Sequence, residues 1–120
     1  MLLLGDIGNT ETKICLINSN NKIIKKIIFS SKNLTDLKLK SKFKLLKLKN
    51  LNIVKCLFCS VVPQTFYLIK KYIKQFYKIK CLELTKINVS KKKIILELIS
   101  LYENFVNRFS RSNFKSIKNL

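Results

Sequence analysis

The sequence predicts an α/β domain: an antiparallel three-stranded meander, then two parallel strands, helices packed on the sheet, and a C-terminal helical tail. Three observations carry that prediction. Three aliphatic runs follow one another across short polar links within residues 1–29. A fully apolar run at 53–59 has the character of a strand buried on both faces. The stretch 63–77 repeats apolar residues at helical spacing.

The elements follow in order. Residues 1–6 form a short apolar strand, and 12–18 (TKICLIN) form a second. Ser19-Asn20-Asn21 signals a turn, because asparagine tolerates left-handed backbone and bonds its own main chain. Residues 22–29 (KIIKKIIF) form the third strand of the meander. Residues 35–49 fit two periods. Leu37, Leu39, Phe43 and Leu45 alternate with lysines, whereas Leu34, Leu37, Ser41, Leu45 and Leu48 line one helical face. Helix is the better reading, since Thr35 or Asn33 caps it and Asp36 meets the positive end of the helix dipole. After the strand at 53–59, Pro63 suits a first helical turn. The helix it opens carries Phe66, Ile69, Ile73 and Phe76 on one face. Residues 80–84 make a fifth strand. The order β-β-β-α-β-α-β, a meander followed by two crossovers, is the topology of a ribonuclease-H-like half domain.

Composition bounds the function. The 120-residue, 14.1 kDa chain is 48% hydrophobic, so it can bury a core and is not a disordered polymer. Its 25 Lys and Arg against 6 Asp and Glu give a net charge of +19. That excess favours polyanions such as nucleic acid, anionic lipid or phosphorylated small molecules. A general drift towards Lys, Ile, Leu and Asn explains the same numbers without any such partner. Arginine, the better reader of bases and phosphates, occurs only as Arg108 and Arg111. The lysines are dispersed and no nucleic-acid motif is present, which makes nucleic acid an improbable partner. No secretory leader is visible, and no apolar run approaches the ~20 residues that cross a bilayer. A cytoplasmic location with reduced thiols is therefore expected. Cys56 and Cys59 match C-x-x-C, but residues three apart on a strand face opposite sides. With no histidine in the chain, these read as buried structural thiols and not as a zinc site.

The chemistry concentrates in LLLGDIGNTETK, residues 2–13, which holds both glycines. Gly8 allows main-chain angles that a side chain forbids and lets amides approach a ligand. Asn9, Thr10 and Thr12 add donors, and Lys13 adds a positive charge, so the turn has the makings of an anion nest. Asp6, beside it at a strand end, can hold a magnesium ion that bridges phosphate oxygens. An ordinary β-turn also favours Asn and Gly.

The stretch Asp6-Ile7-Gly8-Asn9-Thr10-Glu11-Thr12-Lys13 resembles the N-terminal phosphate motif of type III pantothenate kinases, D-x-G-N-T-x-x-K. Cys59-Ser60-Val61-Val62-Pro63-Gln64 resembles that family's S-V-V-P segment, and it too follows the fourth strand. The resemblance covers about residues 1–85 and places the chain within the actin-like ATPase superfold. It implies ATP-dependent phosphorylation of pantothenate, the first step towards coenzyme A, with Mg2+, a monovalent cation (K+ or NH4+) and usually a homodimer. By the same resemblance Asp6 helps hold the metal and the phosphates. Gly8, Asn9, Thr10 and Lys13 line the phosphate loop, with Ile7, Glu11 and Thr12 in the same segment. Ser60 to Pro63 support the cleft without being catalytic.

The sequence also departs from the family. Gly5 stands where an aliphatic strand residue is usual, which predicts slightly weaker packing. The Gly-Ala-Asp-Arg segment, which grips pantothenate and supplies the general base, is missing, as are the second phosphate motif and the second domain. No aspartate and no glycine follow Leu84. The expected organisation is a kinase half domain at 1–85 and a divergent basic tail at 86–120. In that tail IILELISLYENFVNRF, residues 94–109, is an amphipathic helix candidate that covers the half domain or docks on a partner. A frame change near the Lys91–Lys93 codons would produce such a tail. The expectation is thus a truncated kinase that is inactive alone. The alternatives are a remnant that binds nucleotide or a partner without chemistry, and a basic nucleic-acid binder.

Overall fold

The central strand is β1 (Leu2–Ile7), an almost uniformly apolar segment. The computed structural model describes residues 1–20 and 22–83. It pairs β1 antiparallel with β2 (Glu11–Ile17) and parallel with β4 (Lys55–Ser60). Outside these lie β3 (Ile23–Ser30), antiparallel to β2, and β5 (Cys81–Glu83), parallel to β4. The sheet order is β3-β2-β1-β4-β5. Two helices, α1 (Asp36–Phe43) and α2 (Pro63–Tyr77), occupy the crossovers. This is the ribonuclease-H-like half domain that the element order implies. Each strand lies within a residue or two of its expected place. The expected tail at 86–120 lies outside the described residues.

Side chains alternate across a strand, so the sheet sorts its apolar residues onto two faces. Leu3, Ile7, Ile14, Leu16, Ile27, Phe29, Cys56, Phe58 and Cys81 form one core with Leu39 and Phe43 of α1 and Phe66, Ile69, Tyr72 and Ile73 of α2. Leu2, Leu4, Cys15, Ile17, Leu57 and Cys59 point to the opposite face and are at most 1% exposed.

Gly5 does not loosen this packing, contrary to the sequence expectation. It lies directly across from Phe58 on β4, and a Cβ at this position would fall 2.1 Å from the Phe58 ring. The missing side chain on β1 is the space that the buried aromatic fills.

The segment at 35–49 is a shorter helix than expected. Thr35 caps α1 by accepting the Lys38 amide at 3.2 Å, and Asp36 sits in the first turn. The helix stops at Phe43, a 3-10 turn covers Lys44–Leu46, and Lys47 turns left-handed with φ 50°. Leu46 and Leu48 are both buried, yet residues two apart cannot share a helical face. Leaving the helix lets both enter the core, which explains why two periods competed in the sequence.

Helix α2 has the expected bounds, with Pro63 at its first position and a left-handed Lys78 (φ 59°) at its end. Its buried face differs from the expected one: Thr65 and Tyr72 join it and Phe76 leaves it. Tyr72 is in the core, whereas Phe76 is 54% exposed and stacks on Tyr72 with ring centroids 4.6 Å apart. Cys56 and Cys59 face opposite sides, as their spacing requires. The sequence gives no hint that Cys56 meets Cys81 across β4 and β5, with the sulfurs 3.0 Å apart. Burial drives the Cys56 thiol well above its usual pKa, and the hydrogen bond with Cys81 adds to this.

Candidate functional site

The turn between β1 and β2 sits at the carboxyl end of β1, the end at which open α/β sheets bind ligands. It is closed by the Gly8 amide donating to the Glu11 carbonyl at 2.9 Å. Gly8 does not adopt a left-handed angle, so conformational freedom is not its role here. A Cβ at this position would lie 3.1 Å from the Glu11 carbonyl oxygen, so glycine serves the close approach of the two chain segments.

The turn is fastened from below. The Ser31 amide donates to the Thr10 carbonyl at 2.9 Å, and the hydroxyls of Thr12 and Ser31 share a buried hydrogen bond of 2.8 Å. The Thr65 hydroxyl, from the first turn of α2, donates to the Ser31 carbonyl at 3.3 Å. Ser31 therefore ties the turn, the end of β3 and α2 together. Sequence reasoning missed it, because a serine in a polar link carries no signal of burial.

These bonds sort the eight candidate residues. Ile7 and Thr12 are fully buried, Ile7 in the core and Thr12 against Ser31. Asn9, Thr10 and Glu11 are exposed at the tip, and Gly8 is half-buried. Asp6 and Lys13 are half-buried partners across β1 and β2, so they leave the sheet on the same face. The structure thus brings together a carboxylate, an ammonium group and an exposed polar turn. Glu11 adds a second acid near the tip, an awkward neighbour for an anion. No cluster of three or more His, Cys, Asp or Glu side chains exists among the described residues. A site with so few carboxylates suits a magnesium ion that arrives with phosphates and keeps most of its waters, not a resident metal caged by protein.

The second segment singled out by sequence meets the first. The Val61 amide donates to the Ile7 carbonyl at 3.0 Å, one residue before Gly8. The Ser60 hydroxyl accepts from the Val62 amide and donates to its carbonyl, both at 3.0 Å, which bends the chain into Pro63 and α2.

The model of a family described as type III pantothenate kinase matches residues 2–98. The chain belongs to the type III pantothenate kinase family. A curated type III pantothenate kinase from Pelagibacter ubique (strain HTCC1062) is 54% identical to it over 91 residues. That match covers 76% of this chain and 37% of the relative, so the chain spans well under half of the kinase it matches. In this pantothenate kinase frame the D-x-G-N-T turn and the S-V-V-P segment, far apart in sequence, are hydrogen-bonded neighbours at one end of the sheet. No helix among the described residues is long and apolar enough to cross a membrane.

Proposed function

We propose that this chain carries the ATP-phosphate-binding half of a pantothenate kinase site and does not transfer phosphate alone. The observation that supports this most is the placement of Asp6 and Lys13 as same-face partners flanking the turn closed by Gly8. The amides and side chains of Asn9 and Thr10 line the tip, and Lys13 neutralises phosphate charge. Asp6 would hold magnesium through its carboxylate, and the metal would shield the charge on the phosphates. Ile7 and Thr12 act by fixing the turn, and Glu11 closes it through its carbonyl.

Transfer to pantothenate needs a group that takes the proton from the attacking hydroxyl, and a wall that holds the acceptor in line. Between residues 84 and 120 this chain offers Glu97 and Glu103 but no aspartate. It also lacks the Gly-Ala-Asp-Arg segment. Turnover therefore requires a base and an acceptor wall supplied by residues other than these 120. Pantothenate is the acceptor implied by the family.

The test uses magnesium-ATP titrated into the full chain, followed by a coupled assay with pantothenate. Saturable binding is expected, weakened at least tenfold by Asp6→Asn and by Lys13→Ala, with no turnover. Equal affinity in both variants and the parent chain would remove the turn from consideration. Turnover by the chain alone would refute the claim that it needs help.

A further inference from the structure

The end of the domain away from the β1–β2 turn holds a cleft that phosphate binding at the turn does not use. Helix α2 begins after the carboxyl end of β4 and finishes at Tyr77, just ahead of β5. The left-handed turn at Lys47 likewise precedes β4. An open cleft of about 730 Å3 lies between the last turns of α1 and α2 and the 47–49 link. Pockets that take a small molecule span roughly 300–1,000 Å3.

The floor of the cleft is a row of rings. The Phe43 ring centroid lies 5.4 Å from that of Tyr72 and 6.0 Å from that of Tyr77, and Tyr72 lies 4.6 Å from Phe76. Phe43 and Tyr72 are buried, whereas Phe76 ends the row with more than half its surface in water. An aromatic face left wet is apolar area that a flat ligand can cover. The walls carry charge of one sign. Lys40, Lys44, Lys47 and Lys49 line the cleft, and all four are exposed. Asp6, Glu11, Asp36 and Glu83 are the acids among the described residues, and none of them lines it. Two helices end here, and each brings about half a negative charge. Four ammonium groups outweigh that.

We propose that this cleft binds a small phosphate monoester with a flat apolar body. The body stacks on Phe76 and the phosphate meets the lysines. Simpler occupants fit less well. Exposed lysines hold a bare anion weakly, and such an ion leaves the rings wet. A neutral aromatic covers the rings but leaves four like charges crowded together. A phosphate monoester carries nearly two charges and three acceptor oxygens, which suits several amines better than one carboxylate does. Single-stranded nucleic acid binders string several exposed rings along a groove, and this cleft exposes one. The general lysine excess of the chain accounts for the charge but not for Phe76.

The test titrates 1-naphthyl phosphate into the full chain and follows its fluorescence anisotropy in about 150 mM sodium chloride, where diffuse attraction is screened. Saturable binding at one site is expected. 1-Naphthol and inorganic phosphate should each bind at least tenfold more weakly. Phe76→Ala should weaken the complex about fivefold. Lys44→Ala combined with Lys49→Ala should do the same, whereas Lys71→Ala with Lys74→Ala, an equal charge change on the exposed side of α2, should have less than a twofold effect. Asp6→Asn should leave the affinity unchanged, which separates this cleft from the turn. Because Phe76 stacks on Tyr72, urea midpoints are compared. If Phe76→Ala unfolds, the two lysine pairs decide. Failure to saturate, equal losses from both lysine pairs, full affinity in a folded Phe76→Ala, or loss of binding in Asp6→Asn each overturns the proposal. Binding of 1-naphthol or inorganic phosphate as tight as that of the ester also overturns it.

Discussion

At the scale of single residues, two positions hold more than their side chains suggest. Gly5 is needed because Phe58 occupies the volume that a Cβ would fill. Gly5→Ala should destabilise the fold by about 1–3 kcal/mol, the usual cost of overpacking a core. Shrinking the partner, as in Gly5→Ala with Phe58→Leu, should recover part of that loss. Urea midpoints decide: if Gly5→Ala alone leaves the midpoint unchanged, the two residues are not complementary. Cys15 is the second position. Burial pushes its thiol from the usual 9.0 up to about 12, partly offset by Lys26 and Lys13. The neutral thiol is therefore favoured in the folded state. Its contribution is fully present below about pH 9 and is lost as the pH climbs towards 12. The loss approaches about 1.4 kcal/mol per pH unit at most. Stability measured between pH 8.5 and 11 should fall less steeply in Cys15→Ala than in the parent. Parallel slopes in the two proteins would refute the assignment.

At the scale of elements, legibility followed the type of signal. The meander could be read because its aliphatic runs are broken by strong turn residues. The Asn18 carboxamide accepts from the amides of Asn20 and Lys22, much as the asparagine-rich link suggests. Helix α2 could be read to the residue, because Pro63 opens it and a helical period runs through it. The end of α1 could not, because Leu46 and Leu48 are buried by tertiary packing, which local periodicity does not encode. In the site, Asp6 and Lys13 were legible as chemistry, and their alignment across two strands follows from the turn length. The support beneath them was not legible, because Thr12, Ser31 and Thr65 are drawn together from three elements. The cap of α1 offers a test at this scale. Thr35 accepts the Lys38 amide, and Thr35→Ala should cost about 1 kcal/mol. Thr35→Asn should be close to neutral, since asparagine caps as well as threonine does. Equal losses in both would show that Thr35 acts through something other than its cap.

At the scale of the whole molecule, the charge acts on folding and on binding in opposite directions. The chain holds 25 basic and 6 acidic residues, and its Cα radius of gyration is 13.3 Å. Charges so confined lie within a few Debye lengths of one another at 0.1 M salt, where that length is about 10 Å, and closer than one length in dilute buffer. Mutual repulsion therefore weakens the compact state at low ionic strength. Raising sodium chloride from 10 to 300 mM should lift the urea midpoint. The same salt should weaken magnesium-ATP binding, because it screens the attraction between a cationic protein and an anion. The two readouts are thus expected to move apart along one titration. General charge predicts only that divergence, whereas the turn predicts something further. At 300 mM salt, where diffuse attraction is screened, the gap in affinity between the parent chain and Asp6→Asn should persist if the Asp6 carboxylate holds the metal as proposed, since its removal then deletes a local contact. Asp6→Asn also raises the net charge by one, so diffuse electrostatics alone would make the variant the tighter binder at low salt. If the variant binds more tightly than the parent at low salt and the difference vanishes at 300 mM, the nucleotide is held by overall charge, and the turn between β1 and β2 has no specific role in gripping it.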